Sequence, residues 1–394
     1  MRRCSDWIDS YVKMMQNTEP PDLFHRWVAV SCIASCLQRK CVFPWGRLRF
    51  YPNMYIVLIA PPGIARKGTA MDPAMQMLEE PRLNIKLAAE AVTREQLIRE
   101  LRNSETMITT SSGKMMSHCS LTICNSELTV FLGYHNIQLL SDLTDWYDCK
   151  RRWTYRTKNS GTDIIDGVWV NILGATTPQL IRSALPLDAI GGGLASRIMF
   201  IYAGKKKQTV PYPGLSQEEE IITGYLQEDL ERILMMTGEF RTTPQFIDAW
   251  TEWYMHADVN RPFSDELFAG YCERRPATVL KLSIIMSAAH DDSMIIDTED
   301  LFRAISFVEE AELFMPLALS GIGQGKHADV LDRIMQYITR KGGKVEISDI
   351  MWQFRNDLTR WELERLIESL ESSGFCNYMA NTHLIIMKEG RKPY

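Results

Sequence analysis

Four short apolar runs, separated by stretches with helical periodicity, constrain this 394-residue chain more than any other feature. Residues 54–60 (MYIVLIA) are continuous, rich in β-branched side chains and stopped by Pro61, Pro62 and Gly63. A strand with one wet face alternates polar and apolar residues. A short unbroken apolar run instead reads as a parallel strand buried on both faces and leading into a turn. Residues 120–124, 168–174 and 198–203 repeat the pattern. One of the helical stretches between them begins at Thr93, whose hydroxyl suits a helix N-cap. Strands alternating with helices predict an α/β fold built on a parallel sheet.

The flanks read differently. Residues 5–41 are helical in pattern, broken near 17–21, with Trp27, Val30, Ile33, Ala34 and Leu37 on one apolar face. After Gly204 and three lysines the pattern becomes almost wholly helical, over 216–319. Gly321, Gly323 and Gly325 mark a linker. The last segment reads as helix 328–340, a short strand, helices 348–355 and 359–372, and strands near 375–380 and 383–387. That is the order of a winged helix-turn-helix. The expected division is a helical segment (1–53), an α/β core (54–205), a helical lid (206–320) and a winged-helix domain (321–394).

Composition narrows the function. Hydrophobic residues at 45% and charged residues at 24% suit a soluble globular protein with a sizeable core. The net charge of −5 mildly repels phosphate, so any nucleic-acid contact must come from a local basic patch. No apolar run is long enough to span a bilayer and the start lacks a secretory stretch, so the expected location is cytoplasmic, with no membrane partner. Of the nine cysteines, Cys32, Cys36 and Cys41 cluster, but no second pair follows at zinc-site spacing. They read as small apolar residues kept reduced.

The turn after the first strand runs from Ala60 to Thr69 (APPGIARKGT). A phosphate-binding loop needs small residues, so that backbone N–H groups can wrap phosphate oxygens. It also needs a lysine for the terminal phosphates and a hydroxyl for Mg²⁺. One register puts Arg66 and Lys67 in those two roles. The other, with one extra residue, puts Lys67 and Thr69 there and supplies both chemistries. Pro62, Gly63, Ala65, Arg66, Lys67, Gly68 and Thr69 are therefore the candidate nucleotide-binding residues. The competing reading is an ordinary strand-to-helix turn with exposed basic residues. The second strand ends Asn125-Ser126-Glu127, where a polar side chain could hold Mg²⁺ and a glutamate could activate water. Asn125 stands where an aspartate is more usual and would hold Mg²⁺ less strongly. The third strand ends Thr176-Thr177-Pro178. Either threonine could orient the water, and a helix cap before Pro178 competes for Thr177.

The order of these parts, with the run 191–200 (GGGLASRIMF), resembles the AAA+ ATPases. Within them it looks like the MCM-type replicative helicases and related ATPases of phages and mobile elements. The resemblance covers roughly 54–315. It implies that Arg197 reaches the γ-phosphate held by a neighbouring subunit. It also implies that Arg274 or Arg275 senses the nucleotide from the lid, and that the cofactors are ATP and Mg²⁺. The usual assembly in that family is a hexameric homo-oligomer ring. Residues 149–158 (CKRRWTYRTK) carry five basic residues, two aromatics and no acid. In MCM-like proteins this place holds a hairpin that projects into the pore. Lys150, Arg151, Arg152, Arg156 and Lys158 are thus candidate DNA contacts. In the expected recognition helix, Arg360 and Arg365 are outnumbered by Glu362, Glu364, Glu368 and Glu371, which favours contact with other replication proteins there over DNA. The wing (377–383), Lys388, Arg391 and Lys392 stay open as further DNA contacts. The expected function is an ATP-hydrolysing ring ATPase that translocates on or unwinds DNA in phage or mobile-element replication. The alternative, which the irregular loop and Asn125 support, is a nucleotide-gated helicase loader or replication initiator with slow or no turnover.

Overall fold

Residues 2–109, 113, 115–133, 136–157, 161–184 and 193–319 are described in the computed structural model. Towards the C-terminus so are 334, 337–338, 341–355, 357–364, 367, 376–379 and 384–387. The chain divides into two units, Met1–Ser320 and Gly321–Tyr394. The first begins with α1 (Trp7–Met14), α2 (Asp22–Leu37), β1 (Cys41–Trp45) and β2 (Leu48–Phe50). Next come β3 (Tyr55–Ile59), α3 (Lys67–Glu79), α4 (Arg94–Asn103), β4 (Glu105–Thr109) and β5 (Met115–Asn125). They are followed by α5 (Leu128–Leu132), α6 (Ile137–Tyr147), β6 (Arg152–Thr157), β7 (Gly161–Asp166), β8 (Val168–Thr176), α7 (Pro178–Ala184) and β9 (Ile198–Tyr202). The remainder of the unit is α8 (Gln217–Met235), β10 (Gly238–Glu239), β11 (Arg241–Thr242), α9 (Pro244–Val259), α10 (Ala269–His290), β12 (Ile295–Ile296), α11 (Thr298–Glu312) and α12 (Met315–Ala318).

The four apolar runs become β3, β5, β8 and β9, and all four lie parallel in a five-stranded sheet ordered β4-β5-β8-β3-β9. The fold is therefore mixed α/β with a parallel-containing sheet. Every residue of β3 and β8 is buried, which accounts for their unbroken apolar sequence. The edge strand β4 pairs antiparallel with the first half of β5. Beside the second half, Ala88 N–H donates to the Thr122 carbonyl and Thr122 N–H to that of Lys86, so segment 86–88 adds a short parallel bridge. Thr93 caps α4 as the sequence predicts, accepting from Gln96 N–H.

Helix α2 departs from the expected one-faced pattern, because nearly all of it is buried. It lies against β8 and is covered by α8 and α10. Its polar residues are satisfied inside. Asn171 of β8 donates through Nδ2 to Ser31 Oγ (2.9 Å) and Ser35 Oγ (3.2 Å), and its Oδ1 accepts from Met54 N–H (2.9 Å). Thr122 Oγ1 donates to Ser35 Oγ (3.1 Å). These bonds remove the desolvation cost of a polar stripe in the core. Cys32, Cys36 and Cys41 are fully buried, and burial pushes the thiols of Cys36 and Cys41 up to about 12.

The first residues are woven into the later helices. Trp7 Nε1 donates to the Leu226 carbonyl, Asp229 accepts from the N–H groups of Arg3 and Cys4, and Arg303 pairs with Asp6. β1 also pairs with β10.

In the second unit β13 (Lys344–Glu346), β14 (Cys376–Met379) and β15 (Leu384–Met387) form an antiparallel sheet ordered β13-β15-β14. Its core includes Ile350 of α13 (Ile347–Gln353), Phe354, Leu363, Cys376 and Ile385. The glycine linker, Lys158, Arg365, Glu368, Glu371, Lys388, Arg391, Lys392 and residues 380–383 of the expected wing lie outside the described residues. Among the described residues no helix is long and apolar enough to cross a membrane.

Candidate functional site

Parallel strands deliver their C-terminal loops to one edge of a sheet, and open α/β sheets bind ligands there. Ile59 pairs with Thr176 and with Tyr202, and Asn125 with Gly174. The turn 60–66, the stretch Asn125–Glu127 and Thr176–Thr177 therefore share that edge. Ile198 pairs with Tyr55 at the other end of β3, roughly 13 Å away at about 3.3 Å per residue. Arg197 thus belongs to the opposite edge.

In the turn, Pro62, Gly63 and Ile64 are exposed and Ala65 is fully buried. Gly63 (φ 71°) and Arg66 (φ 52°) take left-handed conformations, which turn the chain sharply between β3 and α3. Arg66 is the N-cap of α3 and its side chain does not cap. The N–H groups of Lys67, Gly68 and Thr69 fall in the first turn, where no helical acceptor exists, and that turn carries no acidic residue. A Cβ built on Gly63 or Gly68 would meet nothing within 4 Å. Donors, dipole and open space fit a phosphate group. Lys67 Nζ donates to the Ala60 carbonyl (3.0 Å), folding back over the turn. Burial lowers its pKa, and the charge of Glu127 works against that shift. Lys67 and Glu127 therefore share this edge of the sheet, within electrostatic reach of each other.

The neighbouring residues are already engaged. Arg66 Nε donates to Glu19 Oε2 (2.7 Å), and Lys206 Nζ to Oε1 (2.5 Å). Those cations, Lys206 first, hold the Glu19 carboxyl down to about 2. Asn125 Oδ1 accepts from Glu127 N–H (2.8 Å), and its Nδ2 donates to the Glu90 carbonyl (2.8 Å). Its amide builds the turn that presents Glu127. Thr177 Oγ1 accepts from Leu180 N–H (3.3 Å), so it caps α7, while Thr176 donates to Thr129 Oγ1. Thr69 is exposed and lines a cleft of ≈ 320 Å³ with Met14, Met15, Pro73, Gln76 and Leu215. A Mg²⁺ ion uses one or two carboxylates together with substrate phosphates and water. Thr69 and Glu127 suit that arrangement better than Asn125, whose amide is spent.

No protein-family model matches the chain, and no curated protein matches it.

The two candidate lid arginines separate clearly. Arg275 is buried, donating to Glu312 through Nε (2.6 Å) and Nη2 (3.0 Å), with Tyr271 Oη donating to the same carboxylate. It ties α10 to α11 and is not brought to the phosphate turn. Arg274 instead joins Arg197. Both approach Asp148, Arg197 at 2.8 Å and Arg274 at 3.7 Å. Sequence reading passed over Asp148, Glu19 and Lys281, because isolated charged residues carry no spacing signal.

The basic segment forms a hairpin of β6 and β7, placed just before β8. Arg152, Thr154 and Arg156 are exposed and alternate with half-buried Trp153 and Tyr155. The aromatic face packs inward. Trp153 meets Trp146 edge-on, and the Arg94 guanidinium lies 4.9 Å from the Tyr155 ring centre. Lys150 pairs with Asp145 and Arg152 with Asp166, both at 2.7 Å. Among the described residues no carboxylate lies within ion-pair distance of Arg151 or Arg156. Among the described residues these two are the hairpin's cations without a carboxylate partner, Arg156 Nε donating to Thr162 Oγ1 (3.1 Å), and its aromatics are already committed.

Proposed function

We propose that the first unit is a P-loop ATPase of the AAA+ kind, working as a homo-oligomeric ring that translocates on or unwinds DNA. The observation that carries this is the convergence of Lys67, at the start of the helix after the buried central strand, with Glu127 at the end of β5. An electropositive helix start with a carboxylate on the same sheet edge suits anhydride hydrolysis. The amides of residues 67–69 and the Lys67 ammonium would hold the phosphates, with Thr69 and Glu127 beside the Mg²⁺ position. Bound Mg²⁺ would supply charge neutralisation across the terminal phosphates. Glu127 orients a water and takes its proton as the water oxygen bonds to the γ-phosphorus and ADP leaves. The apolar cleft beside Thr69 would take the base. Arg197 and Arg274 lie on the far edge, where a ring would present them to the next copy. Arg151 and Arg156 would touch DNA phosphates. The second unit, in which β13 precedes α13 and joins β14 and β15 in one antiparallel sheet, fits a winged helix that contacts partner proteins.

A second reading has its own support. Asn125 is spent on the turn and Lys67 on Ala60, an arrangement that suits a nucleotide-gated loader or initiator with slow turnover. ATP hydrolysis by the full chain, with and without single-stranded DNA, separates the two. DNA-stimulated turnover should be lost in Lys67→Ala and fall about 100-fold or more in Glu127→Gln, which should still bind ATP. ATP binding without turnover would select the loader, and unchanged turnover in both variants would end the ATPase assignment.

A further inference from the structure

Asp148 follows the last residue of α6 and stands two residues before the basic stretch that opens the hairpin. Its carboxylate is shared by two arginines. Arg197 donates through Nη2 to Oδ2 (2.8 Å) and through Nε to Oδ1 (3.4 Å), and Arg274 Nη1 stands 3.7 Å from Oδ1. Arg197 Nη1 also donates to the Gly193 carbonyl (3.0 Å). A third cation is close: Lys281 Nζ lies 3.6 Å from the Tyr147 ring centre and donates to Asn53 Oδ1 (2.8 Å). One carboxylate thus faces an excess of positive charge. The two arginines also act on each other, because burial and then the charge of Arg197 pull the Arg274 guanidinium below its usual value.

Exposure gives the arrangement its meaning. The Arg197 side chain is 6% exposed and that of Asp148 is 42%. An arginine that is to reach a phosphate on another molecule has to stand at the surface, and this one is drawn in. Asp148 is the more accessible partner and the one joined to the hairpin. Just beyond it, the carbonyls of Lys150 and Arg151 accept from the N–H groups of Val168 and Gly167, fixing the hairpin base to the start of β8. Only Cys149 separates Asp148 from Lys150, the residue at which the hairpin base is pinned.

We infer that Asp148 is a positioning residue that keeps Arg197 and Arg274 paired and withdrawn, and that a polyanion on the hairpin releases them. This rests on the ring ATPase reading. The phosphates on a neighbouring copy carry more negative charge than one carboxylate and compete for the same guanidinium groups once Asp148 shifts. Asp148 therefore links the hairpin to catalysis in the next subunit without touching nucleotide or DNA.

Two measurements on the full chain test this, using Asp148→Asn, Asp148→Glu, Arg197→Ala and the double variant Asp148→Asn/Arg197→Ala. The first is the rate at which phenylglyoxal modifies Arg197, read by peptide mass spectrometry. Removing the charged partner should speed modification about tenfold in Asp148→Asn, while Asp148→Glu stays near wild type. The second is ATP turnover with and without single-stranded DNA. Asp148→Asn should raise DNA-free turnover about tenfold at unchanged KM, reducing the stimulation ratio by the same factor. The double variant should fall to the Arg197→Ala level. Unchanged Arg197 reactivity in Asp148→Asn overturns the inference, as does faster reactivity with a wild-type stimulation ratio. A wild-type chain that does not hydrolyse ATP removes the ATPase reading instead, and the reactivity measurement then reports on Asp148 alone.

Discussion

Arg275 and Arg274 are adjacent, and sequence alone left them equivalent. Their surroundings make opposite predictions. Arg275 is buried against Glu312, so Arg275→Ala strands a buried carboxylate and should cost about 3 kcal/mol of stability, seen as a lower Tm. Arg274→Ala removes a half-exposed partner of Asp148 and should leave Tm nearly unchanged while reducing turnover. Two histidines give the chain a pH signature. Burial pulls His25 and His118 from 6.5 down to about 4, so both are neutral in the folded state. The unfolded chain then binds more protons between those values. Stability contributed by the neutral rings is full above 6.5 and falls as pH drops towards 4. Thermal melts across that window should show Tm decreasing with acid, and the double variant His25→Gln/His118→Gln should flatten the slope.

At the level of elements, the position of Glu127 depends on a glycine in another strand. A Cβ placed on Gly174 would lie 2.6 Å from Leu128 Cδ2 and 2.9 Å from its Cβ. Leu128 is the first residue of α5, directly after Glu127, so β8 and α5 approach closely only because Gly174 has no side chain. Gly174→Ala should push the Glu127 turn away from Lys67. The expected result is a stability loss of about 1–3 kcal/mol and turnover that falls further than ATP affinity does. Equal losses in both would show that the turn does not depend on this approach. The strands themselves were legible because both faces of the sheet are covered, which leaves an unbroken apolar run. The β4–β5 pairing was not, since most of its residues are exposed and pairing there is set by the partner strand, and the β6–β7 hairpin was expected only through the family resemblance.

For the whole molecule, the proposed contact with DNA has to come from a local basic patch, because the net charge is −5. Lys150 and Arg152 are neutralised by carboxylates of their own neighbourhood, which among the described residues leaves Arg151 and Arg156 to act. The variant Arg151→Glu/Arg156→Glu should weaken binding to single-stranded DNA. The slope of log affinity against log salt should shrink by about 0.7 for each DNA phosphate that is no longer neutralised. Titrations at several salt concentrations check this, and a variant that binds as tightly with an unchanged slope would place the DNA-binding surface elsewhere.

The sequence by itself determined the parallel α/β core, the turn at 61–66 and the stretch ending in Glu127, because burial and backbone geometry act locally on residue choice. It also marked the basic stretch and the start of the last strand at Arg197. Only the tertiary structure decided which charges are free. It gave Arg66 to Glu19, Arg275 to Glu312, and Arg197 with Arg274 to Asp148. Each pairing spans tens of residues or more along the chain, and a charged side chain carries no mark of a partner that only folding brings within a few ångströms.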